Sequence, residues 1–428
     1  MIDIIKADGT AERNWLTLLR GRSGEVGREV TATVSAIIAQ VRGRGDDAVR
    51  DYAKQFDHFC PDSFEVSQSE IQKALDNADP EYVASLRRAM ANIADFHARQ
   101  KQQSFIDAKP NGVIMGQRIR GLARVGIYVP GGTAAYPSSV LMTAIPAKIA
   151  GVGEIIMTTP PLPDGTANPD ILTAAAIAGV DRVFLVGGAQ AVAAMAYGTD
   201  TIPRVDKIVG PGNLYVATAK QLLYGVVDID MIAGPSEILI IADDSANPVY
   251  LAADMLSQAE HDRLASAILL TTSDRVATAT AAELERQKVL LPRVDIINQS
   301  LQNYGVIILC PNSDSMVALA NELAPEHLEV MTETPLEYLG KLDNAGSVFL
   351  GQYSPEPLGD YYAGPNHVLP TSGSARFFSP LGVDSFLKKS SYIYYTRDAL
   401  RGARDDILRI ATSEGLEAHA NSVRIRFD

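Results

Sequence analysis

Apolar runs of strand length alternate with segments of helix length through the middle of this chain, and this alternation constrains its fold more than any other feature. Five such runs, RVGIYVP, EIIMTTP, RVFLVGG, KIVG and DIDMIAG, lie between residues 124 and 236. The segments between them, such as NPDILTAAAIAG and AQAVAAMAYG, are long enough for helices. Alternating strands and helices favour an α/β fold, because each helix returns the chain to the same end of a parallel sheet. We therefore predict one doubly wound, Rossmann-like unit here.

A second series with the same alternation follows. Its strand-length runs are EILIIAD, SAILLTT, GVIILC and GSVFL, and helix-length segments separate them. Asn247-Pro248 begins the first of these segments with a favourable N-cap residue and a proline in the first helical turn. The sequence thus predicts an α/β protein with two Rossmann-like parallel-sheet domains, incomplete and doubly wound, plus small N- and C-terminal segments.

The two ends of the chain contain too few apolar strands for sheets of their own. Residues 27–105 are mostly charged amphipathic helix, which we expect to pack on the second sheet. Residues 381–428 are too few to bury their own apolar face and should dock elsewhere, for example on another subunit. The expected organisation is an N-terminal arm over 1–22, a discontinuous first α/β domain formed by 23–123 and 237–380, an inserted Rossmann-like domain over 124–236, and a C-terminal segment over 381–428.

Composition excludes several classes of protein. Acidic residues outnumber basic ones by 51 to 38, for a net charge of -13, and without a basic stripe this argues against a nucleic-acid partner. No apolar run reaches the roughly 18 residues of a membrane span, and the start MIDIIKADGTAERNW lacks the features of a secretory signal. Cys60 and Cys310 cannot form a disulfide framework, and Cys310 ends a core-like run. We expect a soluble cytoplasmic protein with no nucleic-acid or membrane partner.

Glycine-rich turns follow three of the middle strands, at Pro130–Gly132, Gly187–Gln190 and Gly210–Asn213. Turns of this kind let the backbone approach a ligand at the carboxyl ends of parallel strands, where helix N-termini favour an anion. None of them has the G-x-G-x-x-G pattern, and ordinary tight turns have the same composition. Nucleotide binding is therefore one of two open interpretations of these turns.

A candidate metal site lies in the polar segments of the C-terminal half. Gln258 and His261 are three residues apart at the end of an apolar helix, so their side chains can converge. Asp360 and His419 could complete a set of oxygen and nitrogen donors that zinc or manganese would accept. The absence of thiolates favours an open site that leaves room for substrate. Two alternatives stay open at this point: a polar helix end at Gln258 and His261, and a turn cap at Asp360.

Glu326 and His327 form a candidate acid–base pair directly after the helix that ends near Leu323. A histidine with a pKa near neutrality can remove protons, and a desolvated glutamate can activate water. An exposed pair of polar residues in a loop is the alternative interpretation.

These segments resemble those of the histidinol dehydrogenase family. The motifs SQAEHD, APEHLE, GDYYAGPNHVLPTSGSARF, EGLEAHANSVRIR, GIYVPGG, VGGAQAVAA, GPGNLYVATAK and AGPSEILIIAD occur in the family's order and at family-like spacing, from about residue 20 to 427. Enzymes of this family complete histidine biosynthesis by oxidising L-histidinol to L-histidine through an aldehyde, with two NAD+ and a bound zinc ion. The resemblance implies the same activity here.

The resemblance also implies roles for individual residues. It implies one zinc ion per subunit, held by Gln258, His261, Asp360 and His419, and it makes Glu326 and His327 the catalytic residues. The implied histidinol-binding residues are Ser236, Gln258, His261, His327, Asp360, His367, Glu414 and His419, and the implied NAD+-binding residues are Tyr128, Gln190 and Asn213. Because the family forms an intertwined homodimer, the segment 381–428 is expected to dimerise and to reach the partner's site.

Three other functions remain to be weighed. A zinc hydrolase would use Glu326 to activate a metal-bound water, and the glycine turns would then be structural. A thiol-dependent aldehyde dehydrogenase is disfavoured, because neither Cys60 nor Cys310 lies in a glycine-rich or electropositive segment. A binding protein for imidazole compounds would retain the fold without turnover, but the intact Glu326-His327 pair argues against it.

Overall fold

The computed structural model describes residues 2–22, 27–57, 59–131 and 136–428. Two compact units are present, one formed by the described residues of Met1–Gln100 with Leu122–Phe386 and the other by Lys101–Gly121 with Leu387–Asp428. No helix within the described ranges is long and apolar enough to cross a membrane.

The regular elements are numbered in chain order. The strands are β1 (Asp3–Lys6), β2 (Glu65–Val66), β3 (Phe105–Ala108), β4 (Ile114–Gly121), β5 (Arg124–Tyr128), β6 (Glu154–Thr159), β7 (Arg182–Leu185), β8 (Lys207–Val209), β9 (Asp228–Ile229), β10 (Glu237–Ala242), β11 (Ser266–Thr271), β12 (Gly305–Leu309), β13 (His327–Met331), β14 (Ser347–Leu350) and β15 (Leu387–Tyr394). The α-helices are α1 (Ala11–Arg22), α2 (Arg28–Arg44), α3 (Asp46–Tyr52), α4 (Gln68–Asn77), α5 (Pro80–Ala98), α6 (Pro137–Ala150), α7 (Pro169–Ala178), α8 (Gly188–Tyr197), α9 (Leu214–Leu223), α10 (Pro248–Ala259), α11 (Asp274–Lys288), α12 (Val294–Tyr304), α13 (Ser313–Leu323), α14 (Glu356–Tyr361), α15 (Arg397–Ser413) and α16 (Glu417–Arg424).

Two six-stranded sheets confirm the predicted α/β class with Rossmann-like parallel sheets. The first sheet has the order β2-β7-β6-β5-β8-β9 and is parallel except where β2 joins β7. The second sheet has the order β1-β12-β11-β10-β13-β14 and is parallel throughout. In each sheet the strand order reverses beside a central strand, β5 in the first and β10 in the second. Such a reversal leaves a crevice in which ligands commonly bind.

The N-terminal helices pack on the first sheet, so the prediction that they pack on the second sheet is wrong. Val34 and Ile37 of α2 are buried in one apolar core with Phe184 of β7. Leu86 and Ile93 of α5 are buried in another core with residues of β5, β6 and α6. An amphipathic pattern indicates that one face of a helix is buried, but it carries no information about which sheet covers that face.

The second unit is small and contains a three-stranded antiparallel sheet. Its strand order is β15-β4-β3, and it also contains α15 and α16. Large apolar side chains remain exposed on it, among them Ile393 (71%) and Ile410 (60%). Residues 101–121, which the sequence analysis placed with the first α/β domain, belong to this unit.

Candidate active site

The candidate catalytic residues lie at the amino-terminal edge of the second sheet. His327 opens β13, and Glu237 opens the neighbouring parallel strand β10, with His327 in register with Ile238. Glu326 and Ser236 directly precede these two strands. Both Glu326 and His327 are buried, at 7% and 3% exposure, so the alternative of an exposed polar pair in a loop does not apply.

His327 is held in one orientation with one ring nitrogen free. Its Nδ1 lies 3.0 Å from the carbonyl oxygen of Glu237, an atom that can only accept, so Nδ1 carries the hydrogen. Its Nε2 has no hydrogen-bond partner within the described ranges and lies 3.9 Å from both Glu356 Oε1 and Asp360 Oδ1. Burial lowers the pKa of His327 to about 4. The ring is therefore neutral near pH 7, with the Nε2 lone pair available to accept a proton.

Glu326 has the opposite electrostatic character. Its Oε2 accepts a hydrogen bond of 2.9 Å from the backbone N–H of Glu237, and its side chain also hydrogen-bonds Ser236. Burial raises the pKa of Glu326 well above its usual value. The carboxyl group and the neutral ring of His327, 3.7 Å from it, are thus two neighbouring proton carriers with different affinities for protons.

An ion pair anchors this edge of the sheet from the N-terminal arm. Arg22, the last residue of α1, has a fully buried side chain that forms an ion pair with Glu237. Arg22 also donates a hydrogen bond of 2.7 Å to the carbonyl oxygen of Leu264. Breaking a buried pair leaves an uncompensated charge, so the arm and the catalytic edge are coupled.

A cluster of potential metal ligands faces His327. Donor atoms of His261, Glu356 and Asp360 all lie within 4.8 Å of one another. His261 and Asp360 were predicted as ligands, whereas Glu356 was missed. Asp360 lies on the short helix α14, and Glu356, at the start of that helix, is four residues before it. A spacing of four residues places two carboxylates on one face of a helix, and this spacing is the sequence feature from which Glu356 could have been predicted.

The electrostatics of Glu356 are compatible with a cation at this cluster. Its Oε1 is buried without a partner among the described residues, and burial followed by the charge of Asp360 raises its pKa. A nearby divalent cation would favour the charged form of this carboxyl group.

Gln258 supplies an independent sign that a ligand belongs here. It lies in the last turn of α10 and is fully buried, yet neither its Oε1 nor its Nε2 has a hydrogen-bond partner in the described part of the chain. Buried amides without partners are rare in folded proteins, because each forgone hydrogen bond costs free energy. Oxygen and nitrogen donors from Gln258, His261 and Asp360 fit a zinc or manganese ion.

His367 and a cavity lie beside this cluster. The His367 Nδ1 donates to the carbonyl oxygen of Asp360 at 3.0 Å, and its Nε2 lies 3.2 Å from Ser139 Oγ. A cavity of about 230 Å³ opens against His327, Asp360 and His367, with Phe349 and Leu358 on its apolar side. Its mixed lining suits a small ligand that carries both polar and apolar groups.

Two further buried carboxyl groups support the cluster and were also missed. Glu329 Oε1 accepts a hydrogen bond of 2.7 Å from the backbone N–H of Glu356, and its side chain contacts Asp254. Burial, followed by the charge of Asp254, raises the pKa of Glu329 well above its usual value. The pair fixes the start of α14 and with it the position of Glu356.

Glu414 and His419 belong to the second unit. Glu414 follows the last residue of α15, and His419 lies on α16; both are exposed. Their predicted roles at the metal and substrate remain predictions.

The three predicted NAD+ residues lie at the other sheet, near its strand-order reversal. Tyr128 ends β5, and its hydroxyl accepts a hydrogen bond of 3.1 Å from the N–H of Gly188. Gln190 on α8 is buried, and neither polar atom of its amide has a partner among the described residues. Asn213 caps α9 by accepting from the N–H groups of Tyr215 and Val216, each at 3.1 Å. The predicted turn at Pro130–Gly132 runs into Gly132, which lies outside the described residues.

Comparison with known proteins gives a consistent result. A family model described as histidinol dehydrogenase matches residues 21–427. Histidinol dehydrogenase of Clostridium acetobutylicum is 54% identical over 430 residues, covering 100% of both chains. The same enzyme of Listeria monocytogenes serovar 1/2a is 55% identical over 400 residues, covering 94% of this chain and 93% of the relative.

A solved structure agrees with the sequence relatives. The crystal structure of histidinol dehydrogenase from Elizabethkingia anophelis matches with a TM-score of 0.92 at 39% identity, covering 99% of this chain and 98% of the other. Because the family model spans nearly the whole chain and the relatives share more than half of its residues, the protein belongs to the histidinol dehydrogenase family.

Proposed function

We propose that this protein oxidises L-histidinol to L-histidine through L-histidinal, with two NAD+ per substrate and one zinc ion per subunit, as the last step of histidine biosynthesis. Family membership makes the chain an oxidoreductase of the NAD-dependent alcohol and aldehyde dehydrogenase type. The observation that supports the full reaction best is the buried pair of Glu326 and His327, which faces the donor cluster at 3.9 Å from His327 Nε2.

The residues that would hold the metal are Gln258, His261 and Asp360, with His419 of a second copy completing the set. The Gln258 amide, which has no partner among the described residues, and the converging donors of His261 and Asp360 support this assignment. When bound, zinc would anchor the imidazole and amine of the substrate and supply positive charge beside the reacting carbon. Ser236, His367 and Glu414 would complete the histidinol site.

His327 should carry out the proton transfer of the first oxidation. Its free, neutral Nε2 takes the proton of the substrate hydroxyl as the hydride leaves carbon, which gives the aldehyde. NAD+ supplies the hydride acceptor in both oxidations, and Tyr128, Gln190 and Asn213 would bind it.

Glu326 should serve the second oxidation. In its ionised form it takes a proton from water as the water oxygen bonds to the aldehyde carbon. The carbonyl π bond opens, and its oxygen takes back the proton that His327 gained in the first oxidation, which gives the hydrate and leaves His327 neutral again. His327 then takes a hydroxyl proton of the hydrate as the second hydride leaves, and the product is the carboxylic acid. A site that retains the aldehyde between the two steps prevents the loss of a reactive intermediate.

A homodimer, in which residues 381–428 reach the partner's site, is part of the proposal. The exposed apolar side chains of Ile393, Ile410 and Leu416 on the second unit support an interface there, since large apolar patches commonly mark contact surfaces.

Cys310 is unsuited to the thiol-dependent alternative. Cys310 is buried in an apolar core, where burial raises the pKa of its thiol to about 11. A protonated, inaccessible thiol is a poor nucleophile.

Two substitutions test the division of labour between the acid and the base. His327→Asn should slow the oxidation of histidinol to histidinal by about 100-fold or more, the usual contribution of a positioned base. Glu326→Gln should mainly slow the conversion of added histidinal to histidine. Both half-reactions are followed by NADH absorbance with the metal-loaded protein. Equal losses in both half-reactions for both variants would contradict the proposal.

A further inference from the structure

A buried pair of opposite charges lies beneath the Gly210–Asn213 turn. The side chains of Lys220 on α9 and Asp230 after β9 are only 3% and 1% exposed, and Lys220 Nζ forms an ion pair with Asp230 Oδ1. Buried ion pairs add little to stability compared with apolar residues of the same size. Tyr128, Gln190 and Asn213 are the proposed NAD+-binding residues, and Lys220 and Asp230 are not among them. The role of the Lys220–Asp230 pair is therefore sought in its contacts.

Those contacts converge on a single residue of the turn. Asp230 Oδ2 accepts a hydrogen bond of 2.7 Å from the N–H of Gly210, and Lys220 Nζ donates one of 3.0 Å to its carbonyl oxygen. Asp230 Oδ1 also accepts from the N–H of Met231 at 2.7 Å. Both backbone polar atoms of Gly210 are therefore held by the pair.

Steric contact fixes the same residue from the other side. Gly210 has a φ of +112°, and a Cβ there would lie 2.2 Å from the carbonyl oxygen of Tyr128. The Gly210 backbone thus packs directly against the end of β5, and only glycine fits. The Tyr128 hydroxyl in turn accepts a hydrogen bond from the N–H of Gly188, so a shift of Gly210 would also disturb the Gly187–Gln190 turn.

We propose that Lys220 and Asp230 are positioning residues that hold the Gly210–Asn213 turn in the conformation that receives the dinucleotide. This inference rests on the proposed NAD+ site. Lys220 acts through the Gly210 carbonyl and does not serve as a phosphate ligand, because Asp230 neutralises its charge and the side chain is buried. The pair therefore sets cofactor affinity, while the metal and histidinol site at the second sheet is independent of it.

The test compares Lys220→Met with a matched control, Lys207→Met. Lys207 is also a largely buried lysine of the first sheet, with 9% of its side chain exposed, and its Nζ lies 2.8 Å from Asp228 on β9. For zinc-loaded full-length protein, the dissociation constants of NAD+ and of histidinol are measured separately by calorimetry, together with KM and kcat. Lys220→Met should raise the Kd and KM for NAD+ by about tenfold or more, the effect expected for one lost charge-assisted hydrogen bond.

The accompanying quantities separate positioning from a general loss of structure. With Lys220→Met, kcat should stay within about twofold and the Kd for histidinol should be unchanged; Lys207→Met should leave both affinities unchanged. Asp230→Asn, which breaks the same clamp from the other side, should raise the Kd for NAD+ in the same way and serves if Lys220→Met does not fold.

Three results would overturn the inference. An unchanged Kd for NAD+ in the variants would refute the positioning role alone. An equal loss of affinity for NAD+ and histidinol would show that Lys220 and Asp230 only stabilise the fold and do not position the turn. A wild-type protein that binds histidinol but not NAD+ would refute the proposed NAD+ site itself, and the inference with it.

Discussion

Replacing Gln258 with methionine should have opposite effects on the metal-free and the metal-loaded protein. The Gln258 amide is fully buried, and neither of its polar atoms has a partner in the described part of the chain. An unsatisfied buried amide costs about 1–3 kcal/mol, and methionine fills irregular core space of similar size without polar atoms. The free energy of unfolding of the metal-free protein should therefore rise by about 1–3 kcal/mol, towards the lower value if ordered water binds the amide.

The metal-loaded protein should respond in the other direction. Loss of a ligand should weaken zinc binding by about 100-fold or more, since even residues that only orient ligands contribute 10–100-fold. Because a ligand stabilises the folded state in proportion to the logarithm of its affinity, the stabilisation by added zinc should shrink accordingly.

The assay is urea unfolding of wild type and variant with chelator and with added zinc, together with competition for zinc by a chromogenic chelator. Gln190→Met is the matched control, because the amide of Gln190 on α8 is also buried and likewise has no partner among the described residues. It should stabilise the cofactor-free protein similarly and leave the zinc affinity unchanged. A destabilised metal-free Gln258→Met protein, or one that binds zinc as tightly as wild type, would refute the reasoning.

Three further results are expected. Mixing inactive His327→Asn subunits with inactive His419→Asn subunits should restore part of the activity if sites are shared across a dimer, and verified heterodimers without activity would exclude sharing. With excess zinc, the oxidation of histidinol to histidinal should persist as pH falls, until the pH approaches the lowered pKa of His327, about 4. The oxidation of added histidinal should begin to decline earlier, at a less acidic pH, because burial raises the pKa of Glu326 and only the ionised form of Glu326 activates water. Identical acid limbs in the two pH–rate profiles would contradict this assignment. Replacing Cys60 and Cys310 with serine should leave turnover unchanged once folding is verified by circular dichroism, and a loss of turnover in a folded variant would restore the thiol mechanism.

The two sheets could be predicted because their signal is local. Each buried parallel strand is a continuous apolar run, and each crossover helix lies next to it in the sequence. The packing of the N-terminal helices could not be predicted, because their apolar faces fit either sheet. The strand β2 is two residues long and adds only one antiparallel pairing to the first sheet, which is too short for a pattern to show.

The candidate site divides in the same way. The spacing of Gln258 and His261 and the adjacency of Glu326 and His327 are local, and the structure brings His261 and His327 to one cluster with Asp360. Arg22 contributes through an ion pair that spans more than two hundred residues of sequence, which no local pattern reveals.

The position of the candidate catalytic site at the amino ends of the second sheet could not be predicted from the sequence either. Ligands in open α/β sheets usually bind at the carboxyl ends of the strands. His327 and Glu237 instead open their strands, and α10 delivers Gln258 to the same edge because a crossover helix runs antiparallel to the strands it connects. The glycine turns follow the carboxyl ends of strands in the first sheet. The proposed NAD+ site therefore lies at the carboxyl ends of one sheet, and the proposed metal and histidinol site lies at the amino ends of the other.

The number of NADH molecules formed per histidinol consumed tests the central proposal most directly. Zinc-loaded protein is incubated with limiting L-histidinol and excess NAD+, and the NADH absorbance at completion is compared with the histidinol consumed. The proposal predicts a ratio of two, with histidine as the product. A ratio of one with accumulated aldehyde would contradict the four-electron reaction, and histidinol consumed without NADH would contradict a dehydrogenase altogether.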